Sequence, residues 1–228
     1  TLILAKMLSY ASSFKPAAPD AHADEIVARH TAAVAEFLLT VLKTVDPVDG
    51  FDKPQVVAVL AALQVLATGD SGRAAIVEAE GVAVLVMLMG GGVYTTHSAV
   101  QLLYQTVFTA WSLSYSPDAA AAMIAAKVGV IDKLVHILKT VQKEKVVRVA
   151  LATLRNLLGI ASASAEMVSA GIVKALSHLR QRKWADDDVI VDIEFIAEAL
   201  DKNIKNLSSW DVYHEELLSG RFDWSPSH

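Results

Sequence analysis

The chain has 228 residues, 54% of them hydrophobic and 20% charged, enough apolar material for one sizeable core or two small ones and too much for a disordered polypeptide. A formal net charge of −5 argues against a general nucleic-acid binder, because phosphate contacts call for a basic excess. The absence of cysteine removes disulfides, thiolate nucleophiles and thiolate-ligated zinc, and fits a reducing compartment.

Glycine (11) and proline (6) are scarce beside alanine, valine and leucine, which favours helices over a sandwich or barrel with many turns. The longest apolar runs, such as Val82 to Met89, fall far short of the roughly 20 residues that span a bilayer.

In chain order, LILAKMLSYASSF reads as the last helix of a unit cut away upstream, since the chain opens without an initiator Met, a basic leader or a small-residue cleavage site. ADEIVARHTAAVAEFLLTVLK (23–43) is expected to form a pair of short helices, and PQVVAVLAALQVLATG (54–69) a long one. Beyond them a repeat emerges, marked by Gly81, Gly129, Gly171 and Gly220, which lie 48, 42 and 49 residues apart.

After each of the first three glycines, apolar residues follow one, five and eight positions later: Val82, Val86 and Met89; Val130, Leu134 and Ile137; Ile172, Leu176 and Leu179. A longer amphipathic helix then closes each unit, over 98–114, 144–160 and 187–206. The unit is short helix, glycine turn, short helix, long helix. Glycine at the turn supplies the left-handed or close-approach backbone that two steeply crossing helices need. One such unit cannot bury its apolar faces alone, so several must stack.

The fold expected is therefore all-α, an armadillo/HEAT-like right-handed superhelical solenoid forming one domain over 1–228, with about four to five units, the first and last incomplete. Caps are expected at Asp70 or Ser71, Ser116, Asp186 to Asp188, and Ser208 or Ser209, where short polar side chains can accept from free helix N–H groups. Phe222 and Trp224 follow Gly220 in an extended RFDWSP segment that breaks the repeat.

Chemistry-bearing patterns are few. Gly90-Gly91-Gly92 lacks the Lys-Ser/Thr and preceding strand of a phosphate loop and reads as a linker. The seven histidines form no HExxH or i, i+4 pair, and no metal or cofactor is expected. Asp186-Asp187-Asp188 reads as a helix start rather than an ion site. No GxSxG elbow accompanies the serines, so an enzyme is not expected.

A basic run is more informative: Lys139, Lys143, Lys145, Arg148 and Arg155 stand against only Glu144, and Arg148 and Arg155 share one helix face. They are candidate contacts for an acidic helix or tail. Armadillo proteins that bind extended peptides carry an asparagine ladder on successive third helices; here the positions are Val65, Ser112 and Asn156, so that ladder is missing. In the tail, Trp210, Tyr213 and Leu217 share a face, and Trp210 and Trp224 are the remaining candidate contact residues.

LRNLL (154–158), RKWADDDVIVDIEFIAEAL (182–200) and LSSWDVYHEELLSGRFDWSPSH (207–228) together resemble the H-subunit family of V-type proton-pumping ATPases. The resemblance implies a non-catalytic regulatory subunit, peripheral on the cytosolic face of vacuolar or other endomembranes. It would bind the peripheral stalk and catalytic sector, and couple or silence ATP hydrolysis by protein contact, with no nucleic-acid partner and no membrane insertion. It implies an N-terminal solenoid, with the family's C-terminal domain absent from this chain. The alternative is a generic armadillo adaptor that binds a linear peptide or sorting signal.

Overall fold

The computed structural model describes the backbone of residues 21–45, 54–90 and 96–219, besides Lys6, and the side chains of 25–45, 55–90 and 96–203. Eleven helices and no strand occur among them. They are α1 (Ala21–Lys43), α2 (Pro54–Leu66), α3 (Asp70–Glu78), α4 (Gly81–Gly90), α5 (His97–Ser114), α6 (Pro117–Ala125), α7 (Val130–Thr140), α8 (Glu144–Leu157), α9 (Ala161–Ser169), α10 (Ile172–Arg180) and α11 (Asp188–Ser219).

The three-helix unit is present three times, as α3–α4–α5, α6–α7–α8 and α9–α10–α11. Long helices stack on long helices in the order α2, α5, α8, α11, and second helices stack as α4, α7, α10. One continuous apolar core runs between these layers from Ala35 to Leu200.

The turn glycines do two different jobs. Gly129 (φ 76°) and Gly171 (φ 79°) take the left-handed conformation directly before α7 and α10. In the first unit, Glu80 carries the positive φ (60°), and Gly81 is needed for closeness instead: a Cβ there would lie 2.5 Å from Ile76 Cγ2. Gly220, the fourth in the series, lies outside the described residues.

Two expected breaks are absent. Residues 23–43, expected as a short pair, are one helix, and α11 continues through Ser208 and Ser209 to Ser219. Neither stretch contains Gly or Pro, and serine lowers helix propensity by a few tenths of a kcal/mol without blocking the backbone bond. The triple glycine begins where α4 ends, at Gly90, and its remainder lies outside the described residues.

The caps divide similarly. Ser116 Oγ accepts from Ala119 N at 3.4 Å, and Asp186 Oδ1 accepts from Asp188 N at 3.0 Å, both as expected. At α3 the cap position is Gly69, with no side-chain bond, and Asp70 pairs with Arg73 instead. The Arg73 guanidinium also donates to the Ala67 and Thr68 carbonyls, at 3.0 Å each, closing the end of α2. Thr96, which no sequence pattern marked, caps α5. Buried threonines are satisfied within their own helices: Thr106 donates to Leu102 O at 2.9 Å and Thr153 to Val149 O at 2.7 Å.

Replacing Gly171 by Ala is expected to destabilise the chain by about 1–2 kcal/mol, because an L-residue pays for the left-handed backbone. Gly159→Ala is the control, since the nearest atom to a Cβ there is Asn156 O at 3.8 Å. Urea unfolding of the two variants should separate them clearly.

Candidate functional site

Most of the circumference of α5 is buried, leaving open a narrow strip that holds Gln101, Tyr104, Gln105, Phe108 and Trp111. Aromatic rings thus stand where a solvent-facing strip would carry charge. With Tyr115 just past the helix they form a continuous stack, with centroids 5.9, 5.0 and 5.0 Å apart in sequence, tilted at the first step and edge-on at the next two. Tyr115 is 59% exposed.

This stack is one wall of an open groove of about 600 Å³. Lys145, Val149 and Ala152 of α8 also line it, and its far side carries Arg148 and Arg155 together with Asp188, Val191 and Asp192 of α11. Lys145 donates to Gln101 Oε1 at 2.7 Å and lies 4.9 Å from the Tyr104 ring centroid, tying the two walls together.

Both arginines singled out by the basic run line this groove. The acidic helix their spacing calls for is present within the chain: Arg148 pairs with Asp186 (2.5 Å) and Asp188 (3.4 Å), and Arg155 with Asp192 (2.6 Å). Their side chains remain 50% and 42% exposed, whereas Asp192 is turned inward at 11%. Arg155 also stacks on Phe195, with its guanidinium carbon 4.3 Å from the ring centroid. Asp186 and Asp188 therefore pin the start of α11 against α8.

The Arg-Lys-Trp segment proves to be a fastening. Trp184 Nε1 donates to Leu179 O at 2.9 Å, Arg182 lies 4.3 Å over the Trp184 ring, and Arg182 Nη2 donates to Gln142 O at 2.9 Å. Glu144 completes it: its carboxylate accepts from Ala185 N (3.1 Å) and Asp186 N (2.8 Å), holding the turn that leads into α11.

Asn156 donates to Ser114 Oγ at 2.9 Å, tying α8 to α5, and Ser112 donates to Phe108 O at 3.0 Å within α5 itself, so both ladder positions are engaged inside the chain. Trp210 falls within the backbone of α11 with its side chain outside the described residues, and Trp224 lies outside them altogether. The aromatic wall went unmarked in the sequence. Its signal was there: Tyr104, Phe108, Trp111 and Tyr115 are spaced four, three and four, away from the buried positions of the same helix.

Stacked three-helix units with glycine turns and an open face on the long helices define an armadillo-type repeat protein. A designed armadillo repeat protein solved with a (KR)4 peptide shares this fold, with a TM-score of 0.56 at 14% identity over 92% of this chain and 90% of that one. A second designed armadillo repeat protein gives 0.59 at 16% identity, covering 90% and 87%.

A profile of the V-ATPase H-subunit family matches residues 2–200, and the chain belongs to that family. The V-type proton ATPase H subunit of Dictyostelium discoideum is 40% identical over 169 residues, covering 74% of this chain and 37% of the relative. Its counterpart in Drosophila melanogaster, also a V-type proton ATPase H subunit, is 36% identical over 173 residues, covering 73% and 36%. The chain thus spans little more than a third of the length of these relatives. No helix among the described residues is long and apolar enough to cross a membrane.

Removing the Glu144 carboxylate by Glu144→Ala is expected to speed amide exchange at Ala185 and Asp186 by roughly tenfold, the equivalent of about 1.4 kcal/mol for a charge-assisted pair of bonds. Exchange at Leu85, in α4, should not change.

Proposed function

We propose that this chain acts as the solenoid part of a V-type ATPase H subunit, without catalysis of its own, by holding other subunits of the pump against the exposed face of its long helices. Family membership supplies the assembly, and the aromatic and cationic groove across α5, α8 and α11 is the observation that carries the mode of action. The groove has the features of a protein contact: half-buried aromatics, arginines with spare donors and small lining residues.

In this reading residues 1–228 form one solenoid of about four to five units. The peripheral stalk is the partner proposed for the solenoid, with the catalytic sector influenced through the same rigid body, so that ATP hydrolysis is coupled or silenced by contact alone. The place of action is the cytosolic face of vacuolar or other endomembranes. Arg148 and Arg155 are proposed as contacts from the groove, and Trp210 and Trp224 from their chemistry in the sequence. A generic peptide adaptor is the weaker reading, because Val65, Ser112 and Asn156 offer no row of free amides to an extended backbone.

The test is binding of the chain to the purified peripheral-stalk heterodimer, wild type against Arg148→Glu/Arg155→Glu, with the helical content of the variant verified by circular dichroism. Wild-type binding, weakened at least about tenfold in the variant, is expected. No wild-type binding overturns the stalk as partner, and equal binding by the variant moves the contact off α8.

A further inference from the structure

Two facing stripes in the groove have the spacing of a coiled-coil seam. On α5, Tyr104, Phe108, Trp111 and Tyr115 follow one another at four, three and four residues; on α8, Val149, Ala152 and Asn156 follow at three and four. An average step of 3.5 residues keeps a stripe nearly parallel to its helix axis, so both stripes run lengthwise along packed neighbours. From Tyr104 to Tyr115 the stripe covers eleven residue steps, about 16 Å or roughly three helical turns.

Placing Val149 and Asn156 at heptad position a and Ala152 at d puts Arg148 and Arg155 at g. That is the flanking position where coiled coils choose partners by charge. The two arginines lie two turns apart, the repeat at which a helix laid alongside α8 would present its own flanking residues.

We propose that the trough between α5 and α8 seats one amphipathic α-helix from a partner, with apolar residues at heptad spacing and acidic residues seven apart on the flank facing Arg148 and Arg155. This rests on the function proposed above and deepens it by giving the chemistry of the docked element. Charge supports the acidic choice. The groove lining carries three cations, Lys145, Arg148 and Arg155, against Asp188 and the inward-turned Asp192, with Asp186 outside the lining as a second partner of Arg148; Arg155, 42% exposed with one acidic partner, is the cation open to an acidic ligand. Arg155 spends only Nη1 on Asp192, and a guanidinium has five donors, so a second carboxylate can be received without breaking the internal pair.

The spacing also favours a helix over an extended strand. A strand's rise of about 3.3 Å per residue would cross the seam in about five residues, with no reason for a heptad stripe on either wall.

The test uses the 228-residue chain and three synthetic 21-residue peptides of identical apolar seam: one with Glu at every e and g, one with Lys there, and the Glu peptide interrupted by two central prolines. Like charges at e and g keep the first two from pairing with themselves. Calorimetric titration should show the Glu peptide binding at least tenfold more tightly than either of the others. Ala152→Phe, at a half-buried surface position, should fill the trough and weaken the Glu peptide at least tenfold while the thermal midpoint stays unchanged.

Equal binding of the Lys peptide overturns the acidic partner, equal binding of the proline-broken peptide overturns the helix, and no binding of the Glu peptide overturns the whole proposal. Wild type that binds the stalk heterodimer but not the Glu peptide leaves the proposed pump function standing and removes this one. Binding of the Glu peptide without the heterodimer does the reverse.

Discussion

The stacking of one long helix on the next is the constraint on which the rest of this structure depends. In α8, Val146, Val147, Ala150, Leu151, Leu154 and Leu157 are fully buried, and at helical spacing they share one face, opposite the groove. Each large apolar side chain so removed from water contributes about 1.5–3 kcal/mol, against ordering costs of similar size. No single unit has enough facing surface to bury these residues by itself. The core therefore runs unbroken from α1 to α11, and the groove is what remains uncovered once each long helix has packed against the next.

Polar interactions then set how the stack is held in register. Between α8 and α11, apolar packing is supplemented by Arg148 reaching to Asp186 and Asp188 and Arg155 to Asp192, with Glu144 gripping the turn before the helix. Exposed ion pairs of this kind add little individually, commonly below about 1 kcal/mol, so their part is to orient rather than to drive folding. Lys139, donating to Ala170 O at 2.7 Å, makes a comparable tie between α7 and the end of α9. These ties also fix the guanidinium groups at the groove edge, which lowers the entropy a partner would have to remove on docking.

Much of the architecture was legible because it follows from local periodicity. Apolar positions one, five and eight after Gly81, Gly129 and Gly171 marked the second helices, and Ser116 announced the start of α6 in the sequence pattern alone. The long helices α2, α5 and α8 were found for the same reason, to within a few residues at their ends, and so was the start of α11. The misplaced breaks in α1 and α11 have one cause: regularity of the repeat suggested a new unit where the backbone contained neither Gly nor Pro to stop a helix. The groove was legible only in part. Arg148 and Arg155 stand out by charge, but their pairing with Asp186, Asp188 and Asp192 joins residues about forty positions apart, a distance that no spacing rule reaches. The aromatic strip of α5 was visible as four letters and not as a wall, since amphipathicity assigns aromatics to the core by default.

By itself, then, the sequence determined an all-helical chain of repeating three-helix units, because helix periodicity, glycine turns and caps are encoded within a few residues of one another. Only the tertiary structure decided which side of each long helix stays open, since that depends on how neighbouring units cover one another. It likewise decided that Arg148 and Arg155 pair with the chain's own acids on the far side of an aromatic groove.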